Sequence, residues 1–344
     1  MIAELHARRE LLDMHHPPRS IYLGGGTPSL FPANQLGDII SACRNGGVAR
    51  EIETTVEINP GDADGPWVKQ LVAAGVNRFS LGVQAMDDAR LKWLGRRHTV
   101  SDIRNAVYLL RHNGADHISV DFIYGTPRQT EAQIHRELDA LCALAPGHIS
   151  AYELTIADGT PLSQMGVSQI DNERSAVFWH LIGHKLSHLG FQRYEISSYA
   201  RNDQRSRHNG HYWAGGTYLG IGSGAHGFVM HNNTRVRYSN DTAFNAWCDA
   251  AISPQSLAHR LDVGDGFTET IGDLDYAREL IMLGLRCTDG IDLRRLAPLI
   301  EHNNNMQRQL TALQAEGWGT HAADYFIPTQ DAMLMADELA LRFF

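Results

Sequence analysis

The sequence predicts an α/β protein built on a parallel sheet, with a second, smaller region after it. Short β-rich runs alternate with amphipathic stretches through the first 200 residues, and polar residues fall repeatedly where the β-rich runs end. Alternating strands and helices favour parallel pairing with right-handed crossovers. A partial (β/α) barrel is the simplest closure of such a sheet.

The elements follow from the pattern in chain order. Predicted strands cover 20–23, 53–58, 78–83, 117–124, 148–156 and 192–199, and amphipathic helices cover 101–112, 131–144 and 172–189. After residue 200 the chain becomes glycine-rich, and from residue 266 it is helical again. Helices at 275–285, 293–301 and 306–316, a hairpin at 318–327 and a last helix at 332–343 predict a winged-helix-like α+β appendage. We therefore expect three segments, 1–200, 201–265 and 266–344.

Composition excludes several classes of function. The 344 residues carry a net charge of -9, whereas a general nucleic-acid binder needs a basic face to neutralise phosphates. No run of about 18 apolar residues occurs, as a membrane-spanning helix requires. Residues 1–13 contain several charged side chains, unlike a signal peptide. We expect a cytoplasmic protein whose membrane contact, if any, is made through a partner.

The four cysteines are widely separated along the chain. They are Cys43, Cys142, Cys248 and Cys287, and the closest two are 39 residues apart. No local loop of this chain can therefore supply the closely spaced thiolates of an iron–sulfur cluster. Free thiols in a reducing compartment are the simplest expectation.

Polar residues close four consecutive predicted strands. Gly24 to Thr27 follow the first strand, Glu57 and Asn59 close the second, Gln84 closes the third, and Asp121 and Tyr124 lie in the fourth. A glycine-rich turn or a capping carboxylate would explain any one of them. Because the carboxyl ends of parallel strands converge, the four together favour a ligand site at that edge.

Ordered motifs identify a resemblance to a known family. The chain resembles the radical S-adenosylmethionine proteins grouped with oxygen-independent coproporphyrinogen oxidase, and within that group its haem chaperone branch. The family motifs are Gly24-Gly25-Gly26-Thr27-Pro28-Ser29-Leu30, Glu57-Ile58-Asn59-Pro60-Gly61, Arg78-Phe79-Ser80-Leu81-Gly82-Val83-Gln84 and Asp121-Phe122-Ile123-Tyr124-Gly125-Thr126-Pro127. The chaperone branch is marked by His208-Asn209-x-x-Tyr212-Trp213 and by the glycine-rich run 220–227.

The resemblance implies a role for seven residues in binding S-adenosylmethionine. The backbone of Gly25, Gly26 and Thr27 would hold the methionine amino group, which needs close approach without an intervening Cβ. Glu57 resembles the residue that meets the amino acid part of the cofactor, and Arg96 the one that pairs with its carboxylate. Gln84 and Asp121 resemble contacts to the ribose hydroxyls.

His208 is the candidate haem contact. Imidazole is a common axial ligand, Arg205 and Arg207 suit the haem propionates, and Tyr212-Trp213 would form an apolar wall. The alternative is a hydrogen-bonded loop histidine beside solvated arginines. His211 and His226 are rival ligands.

One departure from the family concerns its [4Fe-4S] cluster. In the family a Cys-x-x-x-Cys-x-x-Cys loop precedes the first helix, whereas this sequence starts at Met1 inside the predicted first helix. We expect a shortened start, with the cluster and reductive cleavage of S-adenosylmethionine confined to a full-length form. A cluster-free paralogue that keeps both ligand sites is the alternative.

Three classes of function remain open from the sequence. The first is a haem chaperone that passes haem to an acceptor protein and, in its complete form, takes electrons from a donor for the cluster. The second is oxygen-independent oxidation of coproporphyrinogen III. The third is an inert fragment that binds neither ligand.

Overall fold

A computed structural model describes residues 1–11, 17–45, 51–251 and 268–344 of the chain. The chain forms two compact units that interleave in sequence. The first unit contains Met1–Ile21, Asp38–Ile52 and Arg207–Phe344, and the second contains Tyr22–Gly37 and Glu53–Ser206. The three predicted segments divide the chain differently, and their boundaries stay a prediction.

The second unit is built on a mixed sheet that is mostly parallel. The strands of the sheet are β1 (Ser20–Leu23), β2 (Glu53–Ile58), β3 (Arg78–Gln84), β4 (His117–Tyr124), β5 (His148–Glu153), β6 (Gln192–Arg193) and β7 (Ser198–Ala200). Of β1, Tyr22 and Leu23 belong to the second unit. The order is β1-β2-β3-β4-β5-β7-β6, and β2 to β5 pair in parallel. The sheet is open, with β1 and β6 at its edges among the described strands. The predicted α/β class is confirmed.

One strand prediction is wrong. The run 192–199 was expected to form a single strand, but it forms β6 and the start of β7, which pair antiparallel with each other. β7 also pairs antiparallel with β5, so the chain turns back at this edge of the sheet. The carboxylate of Glu195 accepts a hydrogen bond from the Ser197 backbone at 2.9 Å inside the intervening turn. A buried carboxylate with local backbone donors favours a turn over an extended strand.

The helices of the second unit begin at side-chain caps. They are α3 (Gly65–Ala73), α4 (Asp88–Trp93), α5 (Val100–His112), α6 (Glu131–Ala143), α7 (Pro161–Gln164) and α8 (Asn172–His188). Helix α1 (Ile2–Arg8) belongs to the first unit, and the residues of α2 (Ala33–Asn45) are divided between the two units. Thr99 and Thr130 each form a capping box, with Asp102 and Gln133 respectively. Leu71 of α3, Ile103 of α5 and Leu138 of α6 are fully buried, as are Phe79 of β3 and Phe122 of β4.

Buried polar residues gather where the strands of this sheet begin. Arg78 donates to Glu53 at 3.0 Å and to the Gln204 backbone carbonyl at 2.8 Å. The His148 ring lies between the Ser119 hydroxyl at 2.6 Å and the Tyr194 hydroxyl at 2.7 Å. Burial, and then the Arg78 charge, lower the pKa of His148 to about 3, so the ring is neutral at physiological pH. These buried polar side chains therefore bond to one another and to the backbone at this end of the sheet.

The first unit contains two antiparallel sheets. One has the order β10-β9-β8 and is formed by β8 (His226–His231), β9 (Thr234–Ser239) and β10 (Thr268–Ile271). Helices α9 (Arg207–Trp213) and α10 (Phe244–Ala251) precede and follow the β8–β9 hairpin. The other sheet has the order β11-β13-β12, with β11 (Ile291–Asp292), β12 (Gly319–Ala322) and β13 (Tyr325–Pro328).

Helices surround the second of these sheets and confirm the predicted α+β appendage. They are α11 (Asp273–Gly284), α12 (Leu293–Ile300), α13 (Asn304–Ala315), α14 (Gln330–Leu334) and α15 (Ala336–Leu341). The predicted last helix, 332–343, is wrong as one element, because Met335 ends α14 with φ -97° and ψ 19° before α15 begins. Ile281, Leu296, Leu313 and Phe326 form the buried core between these helices and strands.

A buried carboxylate anchors α1 within the first unit. The Glu4 side chain is 0% exposed. It accepts hydrogen bonds from the Gly222 backbone at 3.0 Å, the Asn240 amide at 2.6 Å and the Trp247 indole at 3.0 Å. Arg8 lies 3.2 Å from the same carboxylate and donates to the Gly220 carbonyl at 3.1 Å. Helix α1 therefore holds the glycine-rich run 220–227 in place.

Candidate functional site

The glycine-rich loop after β1 is fixed by the Glu57 carboxylate of β2. The Tyr22 hydroxyl donates to Glu57 Oε1 at 2.7 Å, and the Gly25 backbone N–H donates to Glu57 Oε2 at 3.3 Å. Burial and the Glu57 carboxylate raise the pKa of Tyr22 above its usual range, so the phenol keeps its proton and donates. One donor from β1 and one from the loop therefore orient the two oxygens of Glu57.

Gly24 and Gly26 of this loop have different surroundings. A Cβ on Gly24 would lie 2.5 Å from Tyr22 Cε1 and 2.6 Å from Glu57 Cδ, so it would force one of these side chains to move. At Gly26 a Cβ would meet nothing within 4 Å. Gly25 has φ +78°, the left-handed region that glycine adopts without strain. The loop is thus tight against Glu57 and open at Gly26, with Thr27 half-buried behind it.

Further hydrogen bonds tie the end of the loop to the segment after β2. The Ser29 hydroxyl donates to Asp62 Oδ2 at 2.8 Å, and the Asn59 amide donates to the same oxygen at 3.1 Å. The Trp67 indole donates to the Phe31 carbonyl at 2.9 Å. Residues 24–31 are therefore held at both ends before any ligand arrives.

Asp121 lies on β4, two strands away from Glu57 on β2 and nearer the middle of the sheet. The pKa of Asp121 is raised to about 7 by burial and by the Glu57 charge, while hydrogen bonds from Ser150 and Ser80 and the charge of Arg96 act in the opposite direction. The Ser80 hydroxyl lies 3.4 Å from Asp121 Oδ2. Burial, followed by the Asp121 charge, also raises the pKa of Tyr152. Glu57 and Asp121 thus share one electrostatic environment at the carboxyl edge.

Gln84 and Arg96 complete the predicted set. Gln84 has φ +65° at an irregularity of the β3–β4 register. Its side-chain nitrogen would lie 3.0 Å from a Cβ on Gly82, so the glycine makes room for it. Arg96 is exposed, and its charge reaches Asp121. All seven residues of the cofactor-site prediction lie in the second unit, on β2, β3 and β4 or in the segments that follow β1 and α4.

Three residues near this edge were missed by the sequence reasoning, and one prediction there is wrong. Tyr22 and Tyr152 were missed, as was His98, whose ring nitrogen lies 3.2 Å from the Val83 carbonyl at the end of β3. The polar hydroxyl of Tyr22 within an otherwise apolar strand was the available signal. Tyr124 was expected among the polar residues at the ligand site, but it is only 4% exposed and belongs to the core.

His208 is a half-buried residue of α9 in the first unit. Its Nδ1 lies 2.9 Å from the Ser20 hydroxyl. The Tyr212 ring stands edge-on to it at 4.8 Å between centroids, and Tyr218 stands against Tyr212 at 4.4 Å. The pKa of Tyr212 is raised to about 12 by burial and by its tyrosine neighbours, so the ring is uncharged at physiological pH. The structure therefore places the Tyr212 ring against His208, where the sequence predicted an apolar wall.

The other residues of the haem prediction have separate surroundings. The exposed His211 ring bonds the Thr217 carbonyl at 2.6 Å, and His226 is exposed at the start of β8. Arg207 donates to the Glu51 carbonyl at 3.4 Å. Arg205 belongs to the second unit, where its guanidinium lies 5.3 Å from the Tyr194 ring centroid.

The residues of this chain do not fit an iron–sulfur cluster. The four cysteines form no disulfide and lie on separate segments of the chain. Across residues 1–11, 17–45, 51–251 and 268–344, no group of three or more histidine, cysteine or acidic side chains is arranged to hold a metal ion. Among the helices of those same ranges, none combines the length and the apolar character needed to cross a membrane.

Two family models match the chain. The model of the Radical SAM superfamily matches residues 6–141, and that of the HemN C-terminal domain matches residues 273–335. The solved structure of coproporphyrinogen III oxidase (HemN) from Escherichia coli superposes with a TM-score of 0.77 at 17% identity, covering 99% of this chain and 81% of that one. The chain therefore has the fold of a radical SAM protein.

Curated relatives narrow the family further. "Heme chaperone HemW" of Synechocystis is 33% identical over 299 residues, which cover 84% of this chain and 70% of that protein. "Radical S-adenosyl methionine domain-containing protein 1, mitochondrial" of Bos taurus is 36% identical over 332 residues, 94% of this chain and 71% of that protein. The chain belongs to the HemW family of radical SAM proteins. It spans 62% of the similar protein of Danio rerio.

Proposed function

We propose that this protein binds haem and transfers it to an acceptor protein, and that it binds S-adenosylmethionine at a separate site. His208 of the first unit is the haem contact, and Gly25, Gly26, Thr27, Glu57, Gln84, Arg96 and Asp121 of the second unit form the S-adenosylmethionine site. The half-buried His208, held between the Ser20 hydroxyl and the Tyr212 ring, is the observation that carries the haem proposal.

The charges at the carboxyl edge support the cofactor proposal. S-adenosylmethionine presents an ammonium group, a sulfonium, a carboxylate and two ribose hydroxyls. Glu57 offers a carboxylate to the ammonium group beside the open backbone at Gly26. Asp121 and Gln84 offer acceptors to the hydroxyls, and the exposed Arg96 offers a guanidinium to the carboxylate.

The remaining parts of the proposal concern partners. We include a [4Fe-4S] cluster and its electron donor in the proposal only for a polypeptide that carries the Cys-x-x-x-Cys-x-x-Cys loop. The cluster would supply the electron for reductive cleavage of S-adenosylmethionine. Four cysteines without a disulfide support a reducing compartment such as the cytoplasm. Contact with a membrane would be made through the haem acceptor.

Two ligands and two variants test the proposal. Haem binding is followed by absorbance titration, and S-adenosylmethionine binding by isothermal calorimetry, for wild type, His208→Ala and Asp121→Ala. We expect His208→Ala to weaken haem binding about 10-fold or more with cofactor binding intact, and Asp121→Ala to do the reverse. The two residues lie in different units, so each variant serves as the control of the other.

The outcomes separate the rival functions. Saturable haem binding that His208→Ala leaves unchanged would overturn the haem site. Formation of protoporphyrinogen from coproporphyrinogen III in an anaerobic assay, without stoichiometric haem binding, would favour the oxidase. Loss of both ligands in both variants, with an altered circular dichroism spectrum, would show unfolding and defeat the site assignment.

A further inference from the structure

We propose that Tyr22 is a positioning residue of the S-adenosylmethionine site: its hydroxyl holds the Glu57 carboxylate against the glycine-rich loop, ready for the ammonium group of the ligand. The inference deepens the proposed function and rests on it. Tyr22 lies outside the seven residues of the proposed site, and Tyr22, Gly25 and Glu57 all belong to the second unit.

The Tyr22 hydroxyl is the donor in its contact with Glu57. An ionised carboxylate only accepts hydrogen bonds, so at 2.7 Å the hydroxyl donates to Glu57 Oε1. Burial and the Glu57 carboxylate raise the pKa of Tyr22 above its usual range, so the phenol keeps the proton that it donates. The Gly25 backbone N–H donates to Oε2 at 3.3 Å. Both donors are uncharged, so they orient Glu57 without cancelling its negative charge.

Glu57 can accept further hydrogen bonds in this arrangement. A carboxylate has about four acceptor positions, and Tyr22 and Gly25 occupy one on each oxygen. An ammonium group brings three N–H donors and a positive charge, and charge-assisted hydrogen bonds are stronger than those between neutral groups. The carboxylate that these two donors fix therefore suits the ammonium group of S-adenosylmethionine.

The missing side chain of Gly24 gives the ring and the carboxylate room to meet beside the loop. A Cβ at this position would lie 2.5 Å from Tyr22 Cε1 and 2.6 Å from Glu57 Oε1, so both groups lie close to the Gly24 backbone. At Gly26 a Cβ would meet nothing within 4 Å. Tyr22 and Glu57 thus close the loop at Gly24 and leave it open two residues later, where a ligand can approach the backbone.

Loss of the Tyr22 hydroxyl would free the carboxylate without removing it. The last torsion of a glutamate side chain is broad, and of the two described hydrogen bonds only the 3.3 Å contact from Gly25 would remain to restrain it. The ligand would then have to order Glu57 when it binds. Immobilising one such side chain lowers affinity by about 3-fold to 10-fold.

Tyr22→Phe removes only the hydroxyl, and isothermal calorimetry compares it with wild type on three ligands. S-adenosylmethionine is the first. S-adenosylhomocysteine keeps the ammonium group but lacks the sulfonium charge, and 5′-methylthioadenosine lacks the whole amino acid part. We expect binding of the first two to weaken by about 3-fold to 10-fold and binding of the third to stay unchanged. Tyr108→Phe is the matched control, because Tyr108 of α5 is 62% exposed, and it should change none of the three affinities.

Glu57→Gln shows whether the effect of Tyr22 passes through the carboxylate. This variant alone should weaken S-adenosylmethionine binding by about 10-fold or more, because the negative charge that receives the ammonium group is lost. Adding Tyr22→Phe to Glu57→Gln should then have little further effect, since residues that act through one contact are not additive. Circular dichroism spectra of all the variants check that each is folded.

Three results would overturn the inference and leave the proposed site standing. The first is unchanged S-adenosylmethionine affinity in Tyr22→Phe while Glu57→Gln weakens it. The second is equal weakening of all three ligands, which would show that Tyr22 supports the fold of the loop. The third is weakening of S-adenosylmethionine alone, which would assign Tyr22 and Glu57 to the sulfonium. Wild-type affinity in Glu57→Gln, or a wild-type protein that binds none of the ligands, would overturn the proposed site itself.

Discussion

At Asp121, burial and the neighbouring Glu57 charge act together against ionisation of the carboxyl group. A carboxyl group in water titrates near 3.8, and this one titrates at about 7 because burial and the nearby Glu57 disfavour its charged form. The folded protein therefore holds the Asp121 proton more tightly than the unfolded chain does. Near neutral pH the group is divided between its two protonation states, so a hydroxyl ligand can meet either an acceptor or a donor there.

The sign of the resulting pH dependence follows directly. Between pH 3.8 and about 7 the folded state carries a proton that the unfolded state has lost, so the free energy of unfolding falls as the pH rises through this window. Asp121→Asn cannot ionise, so we expect a flatter profile and a variant more stable than wild type above about pH 7. Urea unfolding at a series of pH values measures both slopes.

Asp158→Asn, at an exposed loop position, is the control for this prediction and should keep the wild-type slope. Equal slopes for wild type and Asp121→Asn would show that another group causes the dependence.

Gly24 and Gly26 allow a second prediction, about how an added methyl group in the glycine-rich loop affects stability. An alanine at Gly24 would push against Tyr22 and Glu57, whereas an alanine at Gly26 would enter open space. We expect Gly24→Ala to lower the free energy of unfolding by about 1 to 3 kcal/mol and to abolish the thermal shift produced by S-adenosylmethionine. Gly26→Ala should leave stability within about 0.5 kcal/mol of wild type. Differential scanning fluorimetry with and without the cofactor measures the stability of each variant and the thermal shift. Equal losses of stability in the two alanine variants would contradict the prediction.

The sequence revealed residues whose chemistry is local and missed those whose role depends on a distant partner. Glu57, Gln84 and Asp121 stand at strand ends, where the topology of a parallel sheet brings side chains together. Tyr22 is hydrogen-bonded to Glu57, 35 positions away, and Ser20 to His208, 188 positions away. No local pattern encodes such a pairing, because it arises only when the chain is folded.

Among the elements, α1 depends most on one buried ion pair. Glu4 and Arg8 are 0% and 5% exposed, and the Arg8 guanidinium also lies 4.2 Å above the Tyr238 ring. Removing one partner leaves an uncompensated buried charge, which costs far more than the pair contributes.

We expect Arg8→Ala to lower the free energy of unfolding by about 3 kcal/mol or more, measured by urea denaturation. Arg342→Ala is the matched control, because Arg342 pairs with Glu316 on the surface of the same unit at 2.7 Å, with side chains 32% and 44% exposed. A surface pair contributes less than about 1 kcal/mol. Equal losses in the two variants would show that Glu4 remains satisfied by its neutral donors alone.

Strand boundaries were predictable where apolar runs end at turn residues, and helices where caps and periodicity agree. β1, β2 and β4 have the bounds that the sequence predicted. The failures have physical causes: Glu195 draws backbone donors into a turn, and the break at Met335 occurs without a glycine or proline to mark it. The first is a local side-chain hydrogen bond that competes with strand formation, and the second has no turn residue to signal it.

At the scale of the whole molecule, sequence order and spatial grouping diverge. The first unit gathers residues from both ends of the chain and from 38–52, while the second takes most of the region between. Prediction from the sequence recovered the α/β class and the appendage, because both rest on local alternation. It could not recover the interleaving, because loops close between positions that share no local signal.

The clamped glycine loop has a consequence for the thermodynamics of ligand capture. Residues 24–31 are fixed by Glu57, Asp62 and Trp67 in the folded chain, so the conformational entropy of ordering them is lost when the protein folds. A small molecule that binds here therefore contacts a loop whose conformation is already ordered. Its binding free energy is then reduced only by its own immobilisation and by the release of water from Glu57 and its neighbours.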